Sequence, residues 1–304
     1  MYTFPISACS LERYYYVDGH SLERQYREHL SGYYDWKETG EGRHAEKWLV
    51  FPENIGPRMG IDETSLSDGE LYTIVSNKDA HGRKHSLAAI IYGTKAEDVY
   101  TALWTVPREV REKVTEITLD LSPSMRKIAL VSFPKATLVA DRFHVQKLAL
   151  EALQGLRVKF RWDALDCENR RKAEAKAAGK EYVPEVFENG DTRAQLLVRS
   201  RYLLFKSAEK WTQSQKTRAR ILFDNYPDIE AAYNLTHRLR MIYAHSKTKG
   251  TALPKLALWY NDVEEAGYES FRTTAETIRT NYDRILNFFD NRTTNASAES
   301  STQR

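Results

Sequence analysis

The sequence predicts an α/β protein built on a mixed sheet, three antiparallel plus two parallel strands, with a large α-helical insertion. Three observations predict it. Short apolar runs separated by turn residues fill residues 57–141, and helix-period apolar spacing dominates residues 160–290. In addition, three of the runs end on an aspartate: Met59-Gly60-Ile61-Asp62, Ile117-Thr118-Leu119-Asp120 and Leu138-Val139-Ala140-Asp141. Carboxylates at the ends of buried strands are costly unless a cation or hydrogen bonds offset the lost hydration.

Residues 1–56 read as a lead-in of mixed character, rich in aromatics (Tyr14, Tyr15, Tyr16, Tyr33, Tyr34, Trp36), with one short helix expected over 21–30. Packing on the main domain is the commoner fate of such a segment, and base stacking the rarer one. Strands are expected at 57–63, 70–76 and 85–92, with turn chemistry at Ser67-Asp68-Gly69 and Asp79-Ala80-His81-Gly82. The short loops make these three strands an antiparallel meander. Asp18, Asp68 and Asp79 read as turn residues.

A helix over 95–113, interrupted at Pro107, leads to a strand at 115–120, a helix at 123–132 and a strand at 136–141. Another helix starts near His144, with Val145, Leu148, Ala149, Ala152, Leu153 and Leu156 at helical spacing. Three antiparallel strands, then two strands parallel to the first and separated by helices, is the order of the ribonuclease-H-like fold. Its core spans 57–159, and a helical insertion spans 160–290. Residues 161–190 are polar and charged, and Pro227 and Pro254 stand where helices are expected to begin.

Bulk composition narrows the function classes. The 304 residues are 41% hydrophobic and 29% charged, as in ordinary globular proteins. No apolar run reaches the roughly 18 residues that suggest a membrane span, and the start does not read as a signal peptide. Cys9 and Cys167 form neither a disulfide framework nor a zinc motif, which fits the reducing cytoplasm. The net charge of +3 is unevenly spread: residues 142–260 carry 23 Lys and Arg against 13 Asp and Glu. Residues 1–141 carry 17 against 21, and residues 261–304 carry 5 against 8. A basic middle between acidic flanks suits phosphate binding by one part and cation binding by another.

The acids carry the chemistry. In the expected sheet the first strand is central and the fourth lies beside it, so Asp62 and Asp120 become neighbours. Oxygen-only ligands at an open site suit Mg²⁺ or Mn²⁺. Two such ions activate a water or 3′-hydroxyl and stabilise the leaving oxygen of an in-line displacement. Asp141 is the rival second carboxylate, and strand order favours Asp120. His144 reads as a helix-start residue paired with Asp141 that positions the site. Glu63 falls on the opposite face of its strand and reads as structural. Near the end, Asn295 and Ser297 could cap a helix bearing Glu299, a third carboxylate.

These residues carry a family resemblance. The segments GIDETSL (60–66), ITLDLSPSMRK (117–127), FPKATLVADRFHVQKL (133–148) and NASAES (295–300) resemble, in order and spacing, the blocks of a DDE-type insertion-sequence transposase of the "ISL-three" family. RYLLFKSAEKWT (201–212) and YPDIEAAYNL (226–235) resemble that family's insertion. The resemblance implies Asp62, Asp120 and Glu299 as catalytic, metal-binding triad, and Asp141 and His144 as an Asp-x-x-His signature. It implies a bacterial enzyme of DNA transposition and recombination that uses two Mg²⁺ (or Mn²⁺) ions. Its partners would be double-stranded DNA, at the transposon ends and target, and further copies of itself on the DNA.

The sequence departs from that pattern at its termini. Five residues follow Glu299, so residues 291–304 read as a truncated last catalytic helix. The family's zinc-binding, helix-turn-helix beginning has no counterpart, which implies a separate DNA-recognition polypeptide or an inactive copy. The alternatives are a catalytically dead DNA- or protein-binding remnant and a simple metal-dependent nuclease of the same fold.

If the basic middle meets DNA, affinity for nonspecific duplex will fall steeply as salt rises. A filter-binding or anisotropy titration across salt concentrations reads this directly. A flat dependence would make residues 142–260 merely a solvated, charge-laced surface.

Overall fold

A computed structural model describes residues 7–39, 42–65 and 69–291. Asp68, Asn295, Ser297 and Glu299 lie outside the described residues. The lead-in forms three short helices rather than one: α1 (Ala8–Tyr15), α2 (Gly19–Gln25), prolonged by a π turn over Tyr26–Leu30, and α3 (Tyr33–Glu38). Side-chain caps start the first two, with Ser10 N–H donating to Ser7 Oγ at 3.2 Å and Ser21 N–H to Asp18 Oδ1 at 2.7 Å. These helices pack chiefly against one another and leave Tyr14, Tyr15 and Tyr16 exposed.

The lead-in also contributes a strand that the periodicity did not reveal. β1 (Trp48–Val50) pairs antiparallel with β4 (Leu87–Tyr92), and three residues are too few to display alternation. Between them in the sequence come β2 (Arg58–Ser65) and β3 (Leu71–Asn77), which with β4 form the expected meander. α4 (Ala96–Leu103) and α5 (Arg108–Arg111) flank Pro107, whose ring cannot continue a helix. β5 (Glu116–Leu119), α6 (Pro123–Ser132) and β6 (Thr137–Ala140) complete the sheet. Its order is β1-β4-β3-β2-β5-β6, with β5 parallel to both β2 and β6, a ribonuclease-H-like arrangement.

Alternation along the strands separates two faces. Met59 and Ile61 of β2 and Ile117 and Leu119 of β5 point to one face, where Val99, Leu103, Met125 and Ile128 of α4 and α6 bury them completely. The intervening Gly60, Asp62, Thr118 and Asp120 belong to the other face.

From β6 the chain enters α7 (Arg142–Ala177), one 36-residue helix about 54 Å long at 1.5 Å per residue. The first half of the polar 161–190 segment is thus helical. The remainder is a loop held by Asp191, whose buried carboxylate accepts from Arg218 at 3.0 Å and pairs with Arg199. Among the described residues seven α-helices follow: α8 (Arg193–Arg199), α9 (Arg201–Leu204), α10 (Gln213–Asn225), α11 (Pro227–His245), α12 (Lys249–Ala266), α13 (Glu269–Thr280) and α14 (Tyr282–Asn291).

Side chains clip several of these helices to α7. Thr236 donates to Ala149 O at 3.2 Å, Ser270 to Ala152 O at 3.1 Å, and Arg157 of α7 to Leu197 O at 2.8 Å. α14 docks on the sheet edge, where Asn287 Nδ2 donates to Leu138 O at 2.8 Å.

Pro227 stands at the first position of α11, as expected. Pro254 does not begin a helix; it lies inside α12. The Thr248–Thr251 capping box starts that helix earlier, and Pro254 falls in its second turn, where it forgoes the bond to the Gly250 carbonyl. Among the described residues no helix is long and apolar enough to cross a membrane.

Candidate active site

Two constant strand registers assemble the site. Arg58, Met59 and Gly60 of β2 lie opposite Glu116, Ile117 and Thr118 of β5, so two steps further Asp62 stands level with Asp120. Glu116 to Leu119 lie opposite Thr137 to Ala140 of β6, so one step further Asp120 stands level with Asp141. The Asp141 N–H donates to Leu119 O at 2.8 Å, which fixes that last step. Three carboxylates therefore form a row across the C-terminal ends of three parallel strands, the edge at which open α/β sheets place their ligands.

Each acid ties one oxygen to nearby backbone. Asp62 Oδ1 accepts from Glu63 N–H at 2.9 Å, and Asp120 Oδ1 accepts from Ser122 N–H at 2.8 Å. Ser122 in turn caps α6 through Met125 N–H, so Asp120 is anchored by a helix start. Asp141 caps α7, accepting from Phe143 N–H at 3.1 Å. The second oxygen of each carboxylate makes no hydrogen bond among the described residues.

The field in the row is strained. Burial pushes the Asp62 carboxyl above the ordinary range; His144 and the Glu63 amide oppose this, and Asp141 and Asp120 add to it. Asp141, next to Asp62 and Asp120 in charge, holds His144 above the usual imidazole range against its own partial burial. The ring Nδ1 lies 3.8 Å from Asp141 Oδ2, an ion-pair distance too long for a hydrogen bond, and Asp141 is fully buried. His144 thus faces the row from the first turn of α7, and the acids favour its protonated form. Tyr243 of α11 packs near Asp141, and burial raises its hydroxyl, with Asp141 adding to the shift. Glu63 is exposed; partial burial and the charges of Asp120 and Asp62 raise its carboxyl.

Two cations of the site were not expected. Lys78, just past β3, is buried and donates to Thr118 Oγ1, two residues before Asp120. Burial lowers its pKa to about 8, against the pull of Glu116 and Asp141. Arg284 of α14 approaches from the far side, lowered by burial and by Arg126 while Asp120 opposes. No local pattern distinguishes either from a surface cation; only the tertiary path of their elements does.

The donor set fits a hard divalent cation. Asp62 and Asp120 present oxygen ligands only, each with an oxygen uncommitted, and a cation would offset the burial and the neighbouring acids that raise Asp62. Among the described residues no three His, Cys, Asp or Glu side chains converge to hold an ion, so further ligands would come from water, phosphate or residues outside them.

Comparison with known proteins bears on this geometry. A family model of the ISL-three DDE type, described as "Transposase", matches residues 59–304. The chain is also similar to the "Transposase for insertion sequence element IS1557" of Mycobacterium tuberculosis, in strains CDC 1551 / Oshkosh and H37Rv. Identity is 27% over 211 residues, covering 66% of this chain and 45% of each relative. The chain therefore spans less than half the length of the curated relatives it matches. No solved structure matches it.

The raised Asp62 makes a stability prediction. A carboxyl whose folded pKa is raised contributes fully below the ordinary carboxylate range, and that contribution is lost as pH rises through the raised value. Metal-free Asp62→Asn should therefore melt higher than wild type at about pH 8, on the order of 2 °C. The gap should close as pH falls below about 3, under the ordinary carboxylate value, where the carboxyl is protonated in both states. Thermal denaturation in chelator across that range checks it; a variant that melts lower at the alkaline end would show that ionised Asp62 stabilises the fold.

Proposed function

Because this chain belongs to the ISL-three family of DDE transposases, we propose that it catalyses divalent-metal-dependent cleavage and strand transfer at the DNA ends of an insertion sequence. In the first step a water oxygen attacks the phosphorus at the element's end and the P–O3′ bond breaks, freeing a 3′-hydroxyl. In the second step that 3′-oxygen attacks a target phosphorus and displaces its bridging 3′-oxygen, so one phosphodiester is exchanged for another. The observation that supports this most is the level row of Asp62, Asp120 and Asp141 across three parallel strands.

In this reading Asp62 and Asp120 hold the cations through their uncommitted oxygens, and Glu299, outside the described residues, is the third ligand. Mg²⁺ or Mn²⁺ bound there would supply positive charge to the reacting phosphate and lower the pKa of the attacking hydroxyl. Asp141 and His144 position the row: Asp141 caps α7 and faces His144, which leaves Asp120 the better ligand. Helices α7 to α12 present the basic segment to the DNA backbone, and further copies of the chain assemble on the two ends.

The test uses end-labelled DNA from the borders of the insertion sequence, incubated with Mg²⁺ or Mn²⁺ and a second unlabelled duplex. Expected are metal-dependent nicking at the border and a joined product. Asp62→Asn and Asp120→Asn should each reduce both by at least about a thousandfold, the scale of losing catalytic positioning and charge stabilisation, while circular dichroism stays unchanged. Cleavage retained in either variant would remove that residue from the site, and nicking without joining would make the chain a nuclease.

A further inference from the structure

The acid row has two unlike flanks, and together they describe the strand that fits it. On the β3–β4 side stand Tyr72 and Tyr92. Tyr72 lies opposite Thr64 in β2, two residues along from the Asp62–Ile74 pair, so its ring shares the face of Asp62. Diagonal neighbours of this kind are about 7–8 Å apart. Thr73 pairs with Ile91, which brings Tyr72 opposite Tyr92, and their rings meet edge to face at 5.4 Å and 78°.

The pair is held firmly yet left open. Gly93, at φ 85°, closes β4; its N–H donates to Leu71 O at 2.7 Å and its carbonyl accepts from Thr73 Oγ1 at 2.9 Å. The Tyr72 hydroxyl donates to Glu70 at 2.8 Å, which fixes the ring. Even so, Tyr92 is 50% exposed.

On the opposite side stand Arg126, one turn into α6 beyond the Ser122 that donates its N–H to Asp120 at 2.8 Å, and Arg284 of α14, the helix that Asn287 ties to Leu138 of β6. Neither forms an ion pair among the described residues, and Arg284 Nη1 is buried without a hydrogen-bond partner. A buried guanidinium nitrogen lacking a partner is costly, and a phosphate oxygen satisfies it.

We propose that Tyr72 and Tyr92 form a stacking platform for one unpaired base beside the phosphate at the acid row, with Arg126 and Arg284 holding the next phosphate on the other side. The inference rests on the transposase reading and deepens it: the substrate at the site is a DNA end with its terminal pair opened, not an intact duplex. Every base has a π face, so the platform accepts the base without reading its identity. The strand runs across the sheet from β4 toward β6.

Two probes test this with the full chain in the absence of divalent metal, so that no strand is cut. One is a duplex with a short unpaired 3′ tail carrying 2-aminopurine at its first unpaired position; the other is the blunt duplex of equal length. Base–aromatic stacking is worth about 1–3 kcal/mol, on the order of fivefold to 150-fold in affinity. The tailed probe should bind at least about fivefold tighter, with its emission quenched. The double variant Tyr72→Ala, Tyr92→Ala should lose both the preference and the quenching, whereas Tyr72→Phe, Tyr92→Phe should keep them.

If the double alanine variant fails to fold by circular dichroism, Tyr92→Ala, which removes the more exposed ring, carries the same expectation. Arg126→Ala should weaken both probes by a similar factor. Quenching and preference that survive loss of the rings, or equal binding of both probes by wild type, overturn the platform alone. Failure of wild type to bind either probe overturns the DNA reading as well.

Discussion

Everything at the candidate site depends on the parallel register of three adjacent strands. β2, β5 and β6 are apolar on the face toward α4 and α6, and that burial fixes which residues point the other way. A slip of one residue in β5 would send Asp120 into the core and Leu119 to the site, a loss that no local rearrangement could offset. The acids are thus held level by the packing of Ile61, Ile117, Leu119 and Leu138, residues that take no part in the chemistry. The core is the instrument that aligns the charges.

The same row connects the sheet to the helical body. Asp141 is the single residue between β6 and α7, and His144 sits in the first turn of that helix. Helices α8, α11 and α13 are clipped to α7 by side-chain hydrogen bonds, and α14 reaches back to β6 while delivering Arg284 toward Asp120. The basic segment and the acidic row are therefore parts of one packed structure. In the proposed reaction, DNA held by the helices would meet the acids at a fixed angle, which favours catalysis through positioning.

Much of this was legible in the residues. Strong alternation, short Gly-containing turns and the Ser122-Pro123 helix start made β2 to β6 and α6 readable, because each is specified locally. β1 was missed since three residues carry no pattern, and its pairing with β4 is decided entirely by tertiary fit. Pro254 misled because a capping box earlier in the chain outweighs the proline's lost donor. Asp62, Asp120, Asp141 and His144 stood out by position and context. Lys78, Arg284 and the Tyr72–Tyr92 pair did not, because a lysine after a strand or a tyrosine in one is ordinary until the fold shows what lies beside it.

The central claim is that Asp62 and Asp120, and not Asp141, are the carboxylates that hold the cation. Calorimetric titration of the full chain with Mn²⁺ tests it most directly, comparing Asp62→Asn, Asp120→Asn and Asp141→Asn after each is shown to be folded. The first two should lose binding by about two orders of magnitude, as removal of a charged oxygen ligand from a small set would. Asp141→Asn should bind within a few-fold of wild type. Binding that survives in Asp120→Asn and disappears in Asp141→Asn would contradict the account and move the metal one strand along the sheet.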